Sequence, residues 1–133
     1  MFIEGSDIVS SNLQVAVVER RDTVVVLAVT GELDMRTSSR FLDVAQGSVD
    51  TGHPDVILDL VGVPFCDSSG LNALVLLYRR LHAAGGSLAL AQVPDRLARL
   101  LSLTGVDRLI PSHLTTKAAL AARSTTQNSH PAS

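Results

Sequence analysis

Tryptophan is absent from this chain of 133 residues, aromatic residues make up 3% of it, and there is one cysteine. Each scarcity excludes something. With so few rings the core must be aliphatic, and a hydrophobic content of 46% supplies enough Val, Leu, Ile and Ala for one domain. Cys66 alone closes no internal disulfide and, without a CxxC or Cys/His spacing, builds no zinc motif. A reducing cytoplasm is the simplest expectation. Positive charge is not in excess: the net charge is −2 with both signs interspersed, so the basic stripe of a nucleic-acid binder is missing. Arg79 and Arg80 form the one small basic pair in mid-chain, which reads as a solvated helix face. The glycine patterns that cradle nucleotides, GxxxxGK[ST] and GxGxxG, do not occur. No apolar stretch is long enough for a membrane span. The opening MFIEGSDIVS lacks the basic and apolar regions of a signal peptide. There is no internal repeat. Residues 1–11 read as a lead segment, 12–122 as the domain, and the polar run RSTTQNSHPAS over 123–133 as a disordered tail.

What is present is a succession of short aliphatic runs with alternating periodicities. LQVAVVER (13–20) and TVVVLAVTG (23–31) are Val-rich and separated by Arg21-Asp22, which predicts an antiparallel hairpin without the usual turn glycine. ELDMRTSSRFLDVAQGSV (32–49) changes to a helical period, with Phe41, Leu42, Ala45 and Val49 on one face and Asp34 or Thr37 as the cap. HPDVILDLVGV (53–63) reads as a strand around Asp55–Leu60, apolar enough to be covered on both faces. LNALVLLYRRLHAAGG (71–86) predicts a helix burying Leu71, Leu74, Tyr78 and Leu81, stopped by Gly85-Gly86. SLALAQV (87–93) predicts a strand and PDRLARLLSLTGV (94–106) a helix with proline at its start and glycine at its end. RLIP (108–111) suits a short edge strand, and TTKAALAAR (115–123) a last helix. The expected fold is α/β, a mostly parallel sheet of four to five strands with an antiparallel first strand, flanked by about four helices.

In such sheets the functional loops collect at the carboxyl ends of the strands. Two loops qualify: one carries Glu32, Asp34 and Thr37, the other Asp67, Ser68 and Ser69, inside FCDSSGLNAL (65–74). If the two preceding strands are neighbours, the loops lie side by side. Asp67, Ser68 and Ser69 are all good helix caps, and a helix starting here requires only one of them. Gly70, poor for helix propensity, suggests a close approach or an unusual backbone angle. The second hydroxyl is left over for modification. A phosphate at a helix N-terminus is tolerated by the helix dipole, and its charge of about −2 beside Asp67 repels an acidic partner and blocks the surface. Hydrolysis is the weaker chemical reading, because the surroundings are C-D-S-S-G and not G-x-S-x-G, and only His113 sits in a plausible loop. Asp34 and Asp67 are too few acids for a metal-dependent phosphatase. No metal or cofactor is expected.

Several separated features together resemble the bacterial STAS domain of the anti-sigma-factor antagonist type. They are GELD within TGELDMRTSSRF (30–41), DSSGL at a helix start, Gly-Gly before the next strand, and LTG before the last short element. The resemblance runs from about residue 12 to 122. It implies that Ser68 is phosphorylated by an anti-sigma factor with serine kinase activity. It implies that Asp34 lies beside that serine at the partner surface, and that Ser69, Gly70 and Leu71 complete the docking loop, with Thr37 and Asp67 flanking it. Unphosphorylated, such a protein binds the anti-sigma factor and frees the sigma factor, thereby regulating transcription. Phosphorylated, it lets go, and a PP2C-type phosphatase resets it. The chain would then be a substrate and a binder, not an enzyme. The resemblance leaves one alternative, a STAS scaffold subunit of a stress-signalling or lipid-transport complex. Cys66 departs from the family's usual apolar residue and reads as a small buried hydrophobe in preference to a redox sensor.

Overall fold

The computed structural model of the chain describes residues 13–49 and 54–129. The elements are β1 (Leu13–Arg21), β2 (Val24–Gly31), α1 (Ser38–Gly47), β3 (Asp55–Gly62), α2 (Ser68–Ala83), β4 (Ser87–Ala91), α3 (Asp95–Thr104), a 3₁₀ turn (Val106–Arg108), β5 (Ser112–His113) and α4 (Thr116–Ser129). The strands form one sheet in the order β1-β2-β3-β4-β5. β1 and β2 are antiparallel, and every later pairing is parallel. This is the α/β architecture expected of the sequence.

The period-two alternation of the Val-rich strands decides which side chains face which layer. Val25, Leu27 and Val29 of β2, Val56, Leu58 and Leu60 of β3, and Leu88 and Leu90 of β4 point to one side. There Phe41, Leu42 and Ala45 of α1, Leu74, Leu77 and Leu81 of α2, and Leu97 and Leu101 of α3 cover them. The intervening Val24, Val26, Ile57 and Ala91 face the opposite side and meet Ala119 and Leu120 of α4. A sheet covered on both faces needs apolar residues at nearly every position, which is why β2 and β3 read as unbroken hydrophobic runs. The faces predicted for α1 and α2 hold in the main. Val49, Leu71 and Tyr78 are half-buried against the core, and Leu77 is a buried member that the predicted face omitted.

Three boundaries differ from expectation. The hairpin turn is Asp22-Thr23, one residue later than Arg21-Asp22, because Arg21 pairs with Val24. Asp22 takes the left-handed conformation, φ 54°, that a glycine would ordinarily supply. The edge strand is Ser112–His113 and not 108–111: after Gly105, left-handed at φ 81°, the chain first makes a 3₁₀ turn that buries Ile110. Pro111 cannot donate to a ladder, so pairing begins after it. The last helix, expected to end at 123 where a polar tail would begin, continues to Ser129. Arg123 is part of it, and its Nη2 donates to Asp55 Oδ2 at 2.8 Å. Residues 1–12 and 130–133, with the proposed lead segment and the end of the tail, lie outside the described residues. Among the described residues no helix is long and apolar enough to cross a membrane.

Candidate functional site

β2 and β3 are parallel neighbours, so the loops after them leave the same edge of the sheet. They are also joined to each other. The Leu33 amide donates to the Phe65 carbonyl at 2.9 Å and the Asp67 amide donates to the Leu33 carbonyl at 3.2 Å, a one-residue parallel bridge between Leu33 and Cys66. Leu33 is fully buried and anchors the bridge in the main core. The side-by-side placement anticipated for the two loops is therefore held by backbone hydrogen bonds.

Gly70 makes that junction possible. It is an ordinary helical residue whose missing side chain lets the first turn of α2 lie against the bridge. A Cβ there would stand 2.2 Å from the Leu33 carbonyl oxygen and 2.9 Å from Cys66 Sγ. Of the two reasons considered for this glycine, close approach is the operative one.

The two caps divide the labour differently from what the residue types alone allow. In the first loop Thr37 is the N-cap residue of α1 and makes no side-chain capping bond to it; Asp34 caps the turn that leads into the helix, with Thr37 its reciprocal partner. Asp34 Oδ1 accepts from the Arg36 amide at 2.9 Å and the Thr37 amide at 3.3 Å, while Thr37 Oγ1 accepts from the Asp34 amide at 3.0 Å. The Thr37 hydroxyl then donates to the Glu32 carbonyl at 2.8 Å. The pattern is that of a capping box, with Thr in the place usually taken by Glu or Gln. Burial disfavours the charged form of Asp34, but the Arg36 side chain and the amides of Arg36 and Thr37 outweigh it and hold the carboxyl below its ordinary range.

In the second loop Asp67 alone caps α2: its Oδ1 accepts from the Ser69 amide at 2.8 Å and the Gly70 amide at 3.0 Å. Ser68 and Ser69 are the first residues of the helix, and neither hydroxyl is needed to start it. Ser68 is exposed, and its hydroxyl has no hydrogen-bond partner among the described residues, whereas Ser69 is half-buried. Leu71 is half-buried against the core, with its amide donating to the Asp67 carbonyl at 2.9 Å. Of the seven residues singled out in the sequence, then, Ser68 alone is fully exposed. Asp34, Thr37 and Gly70 are buried and shape the loops, and Asp67, Ser69 and Leu71 lie between.

Cys66 stands half-buried behind the bridge. Burial, with the Asp67 carboxylate adding to it, pushes its thiol up to about 11, so it is protonated at neutral pH. Two large apolar residues that the sequence reading passed over are exposed on these loops: Met35 in the first is 76% exposed and Phe65 in the second is 45% exposed. Their signal was available, since each is a large apolar residue placed in a loop outside the strand and helix periods. Neither histidine among the described residues is brought to Ser68. His82 stacks on Tyr78 near the far end of α2, with ring centroids 5.7 Å apart. His113 lies in β5 and faces Ala119 and Ala122 of α4, on the opposite side of the sheet from α2. No group of three or more His, Cys, Asp or Glu that could hold a metal occurs among the described residues.

With this geometry in view, the chain can be set beside known proteins. Residues 15–119 match the model of the STAS domain. The anti-sigma F factor antagonist of Paenibacillus polymyxa is 31% identical over 103 residues, 75% of this chain and 86% of that protein. The anti-sigma-B factor antagonist of Staphylococcus aureus is 32% identical over 82 residues, 62% of this chain and 76% of that protein. A solved structure of an anti-sigma factor antagonist from Mycobacterium paratuberculosis superposes with a TM-score of 0.72 at 31% identity, covering 83% of this chain and 92% of that one.

Proposed function

From the premise that this chain belongs to the STAS-domain family, we propose that it is an anti-sigma-factor antagonist switched by phosphorylation of Ser68. One observation carries the reading: Asp67 takes over the capping of α2, leaving Ser68 as an exposed, uncommitted hydroxyl at the helix N-terminus. The names of the relatives supply the partner class, an anti-sigma factor; that this partner also carries the serine kinase activity is part of the proposal. Unphosphorylated, the chain occupies the anti-sigma factor and the sigma factor is released to transcription. In the kinase reaction Ser68 Oγ forms the new O–P bond to the γ-phosphorus of ATP, ADP leaves, and the hydroxyl proton passes to a base of the partner. The chain supplies the acceptor and needs no cofactor.

The fold tolerates the product and the complex does not. The positive end of α2 offsets part of the phosphate charge. The same charge, about −2, is added to a surface that already carries the Asp67 carboxylate and must fit a partner closely. Asp34, Thr37, Asp67, Ser69, Gly70 and Leu71 shape the two loops that form the partner surface, with Met35 and Phe65 as its exposed apolar points. A PP2C-type phosphatase restores the binding form, in the cytoplasm.

The test is incubation with the cognate anti-sigma factor and ATP, followed by mapping of the phosphate by mass spectrometry. Phosphate is expected on Ser68 and absent from Ser68→Ala, which binds constitutively, whereas Ser68→Asp binds weakly. Ser68→Ala should leave stability within about 0.5 kcal/mol of the parent, as for other surface substitutions that remove no partner. Phosphorylation elsewhere by an active kinase, with Ser68 untouched, overturns the proposal.

A further inference from the structure

A groove of about 250 Å³ continues from the Ser68 loop along the outer side of α3. Its loop wall is Pro64 and Phe65, directly before Cys66-Asp67-Ser68, and its helix wall includes Arg96, Arg99, Leu100 and Leu103. The floor is apolar and partly bare: Leu103 is 78% exposed and Phe65 45%. Leu101 turns inward to the core, Leu97 and Leu100 pack against the core and also line the groove, and Leu103 stands outermost, so the apolar side of the helix extends from the core to the surface.

The charge on this wall is one-sided. Arg96 and Arg99, one turn apart and both exposed, form no ion pair or hydrogen bond among the described residues. Asp95 is the one acid of α3, and it is bonded to neither. Arg96 also sits in the first turn of its helix, where the dipole disfavours a cation, so its placement does not serve the helix. On the loop side the nearest carboxylate, Asp67, is turned toward the α2 amides. The result is an apolar trough whose two rim arginines, with Asp95 beside them, form no ion pair among the described residues, and which runs into the Ser68 loop at Phe65 and Cys66.

We propose that this groove receives an acidic, apolar segment of the same partner that engages Ser68, its carboxylates on Arg96 and Arg99 and its aliphatic side chains on Phe65, Leu100 and Leu103. The docking surface then has two parts, a switch at Ser68 and a clamp on α3. The clamp gives affinity and speeds encounter through charge complementarity, while the switch alone responds to phosphorylation. This inference rests on the reading of Ser68 given above.

The experiment measures, by calorimetry, binding of the purified anti-sigma factor that phosphorylates Ser68 to four forms of the full chain: parent, R96E/R99E, L103D and S68D. The three altered positions beside Ser68 are exposed, so the variants are expected to keep the parental circular dichroism. R96E/R99E should bind about ten-fold or more weakly and invert the salt dependence seen with the parent, because reversed rim charges repel the segment and added salt screens that repulsion. L103D should weaken binding without altering the salt dependence. If S68D weakens binding while R96E/R99E and L103D stay within about two-fold of the parent, the groove is not a clamp and the Ser68 reading survives. If S68D binds as tightly as the parent, the Ser68 reading falls and the clamp falls with it. A parent that dimerises at working concentration, with R96E/R99E abolishing the dimer, assigns the groove to a second copy of this chain and overturns the proposal.

Discussion

The two ends of the sheet use buried and half-buried carboxylates for opposite purposes. At the amino end of β3, Asp55 is 4% exposed and fully engaged: Thr23 Oγ1 donates to it at 2.7 Å, Ser87 Oγ at 2.8 Å, and Arg123 at 2.8 Å. It joins the β1–β2 turn, β3, β4 and α4, and both hydroxyls bonded to it are consumed. At the carboxyl end, Asp34 and Asp67 are engaged with backbone amides of their own loops. The hydroxyl of Ser68, next to Asp67 in the chain, is left over. One end closes on itself and the other is held rigid while remaining open. The difference lies in the partners of the carboxylates: side chains from distant elements lock a structure, whereas groups of the adjacent turn, its amides and for Asp34 also the Arg36 side chain, shape a loop and leave the Ser68 hydroxyl uncommitted.

Three substitutions probe this contrast. Gly70→Ala should have the largest effect, because the obstruction is the Leu33 backbone and not a movable side chain. A loss of about 3 kcal/mol, the upper part of the usual range for overpacking, is expected in urea unfolding. A loss under about 1 kcal/mol would show that the two loops are not joined as described. Asp55→Ala comes next. It strands Arg123 and two hydroxyls, and since Arg123 is about 32% exposed and can rehydrate, the cost should be about 2 kcal/mol, below the range for fully buried pairs. Unfolding by hydrogen exchange should show α4 loosening first, with the Ser68 end unaffected. The smallest effect belongs to Asp34→Asn, which keeps a capping oxygen but loses the charge. About 1 kcal/mol at pH 7 is expected, the difference between charged and neutral hydrogen bonds. Its sign with pH follows from the lowered Asp34 carboxyl: the stabilisation is complete above the ordinary carboxylate range and is lost as pH falls through the lower, folded-state value. Parent and variant curves should therefore converge in strong acid, and a gap that persists there would assign the effect to packing.

Much of this arrangement was legible in the sequence, and particular residues show why. The apolar runs of β2 and β3 and the change of period at α1 reported local geometry, which burial on two faces only reinforced. Gly85-Gly86 stopped α2 where expected: Gly85 is left-handed at φ 85° and the Gly86 amide returns to the Leu81 carbonyl at 2.8 Å. The edge strand was misplaced by a few residues because a two-residue strand carries almost no periodic signal, and its position was decided by pairing with Leu90 and Ala91. The end of α4 was misjudged because RSTT is polar, yet the buried Asp55, 68 residues earlier, gives Arg123 a partner. Asp67, Ser68 and Ser69 were equivalent as caps by residue type; their roles separated only when the turn geometry aimed one carboxylate at two amides.

The sequence by itself determined the order of strands and helices, the faces they bury, and the coincidence of acids, hydroxyls and a glycine at two loop positions, because these depend on local period and composition. The tertiary structure decided that the two loops meet, that Gly70 is the point of contact, that Asp67 and not a serine caps α2, and that Phe65 and the α3 arginines share a groove. Those outcomes depend on which backbones approach across the sheet, and no window of adjacent residues contains that distance.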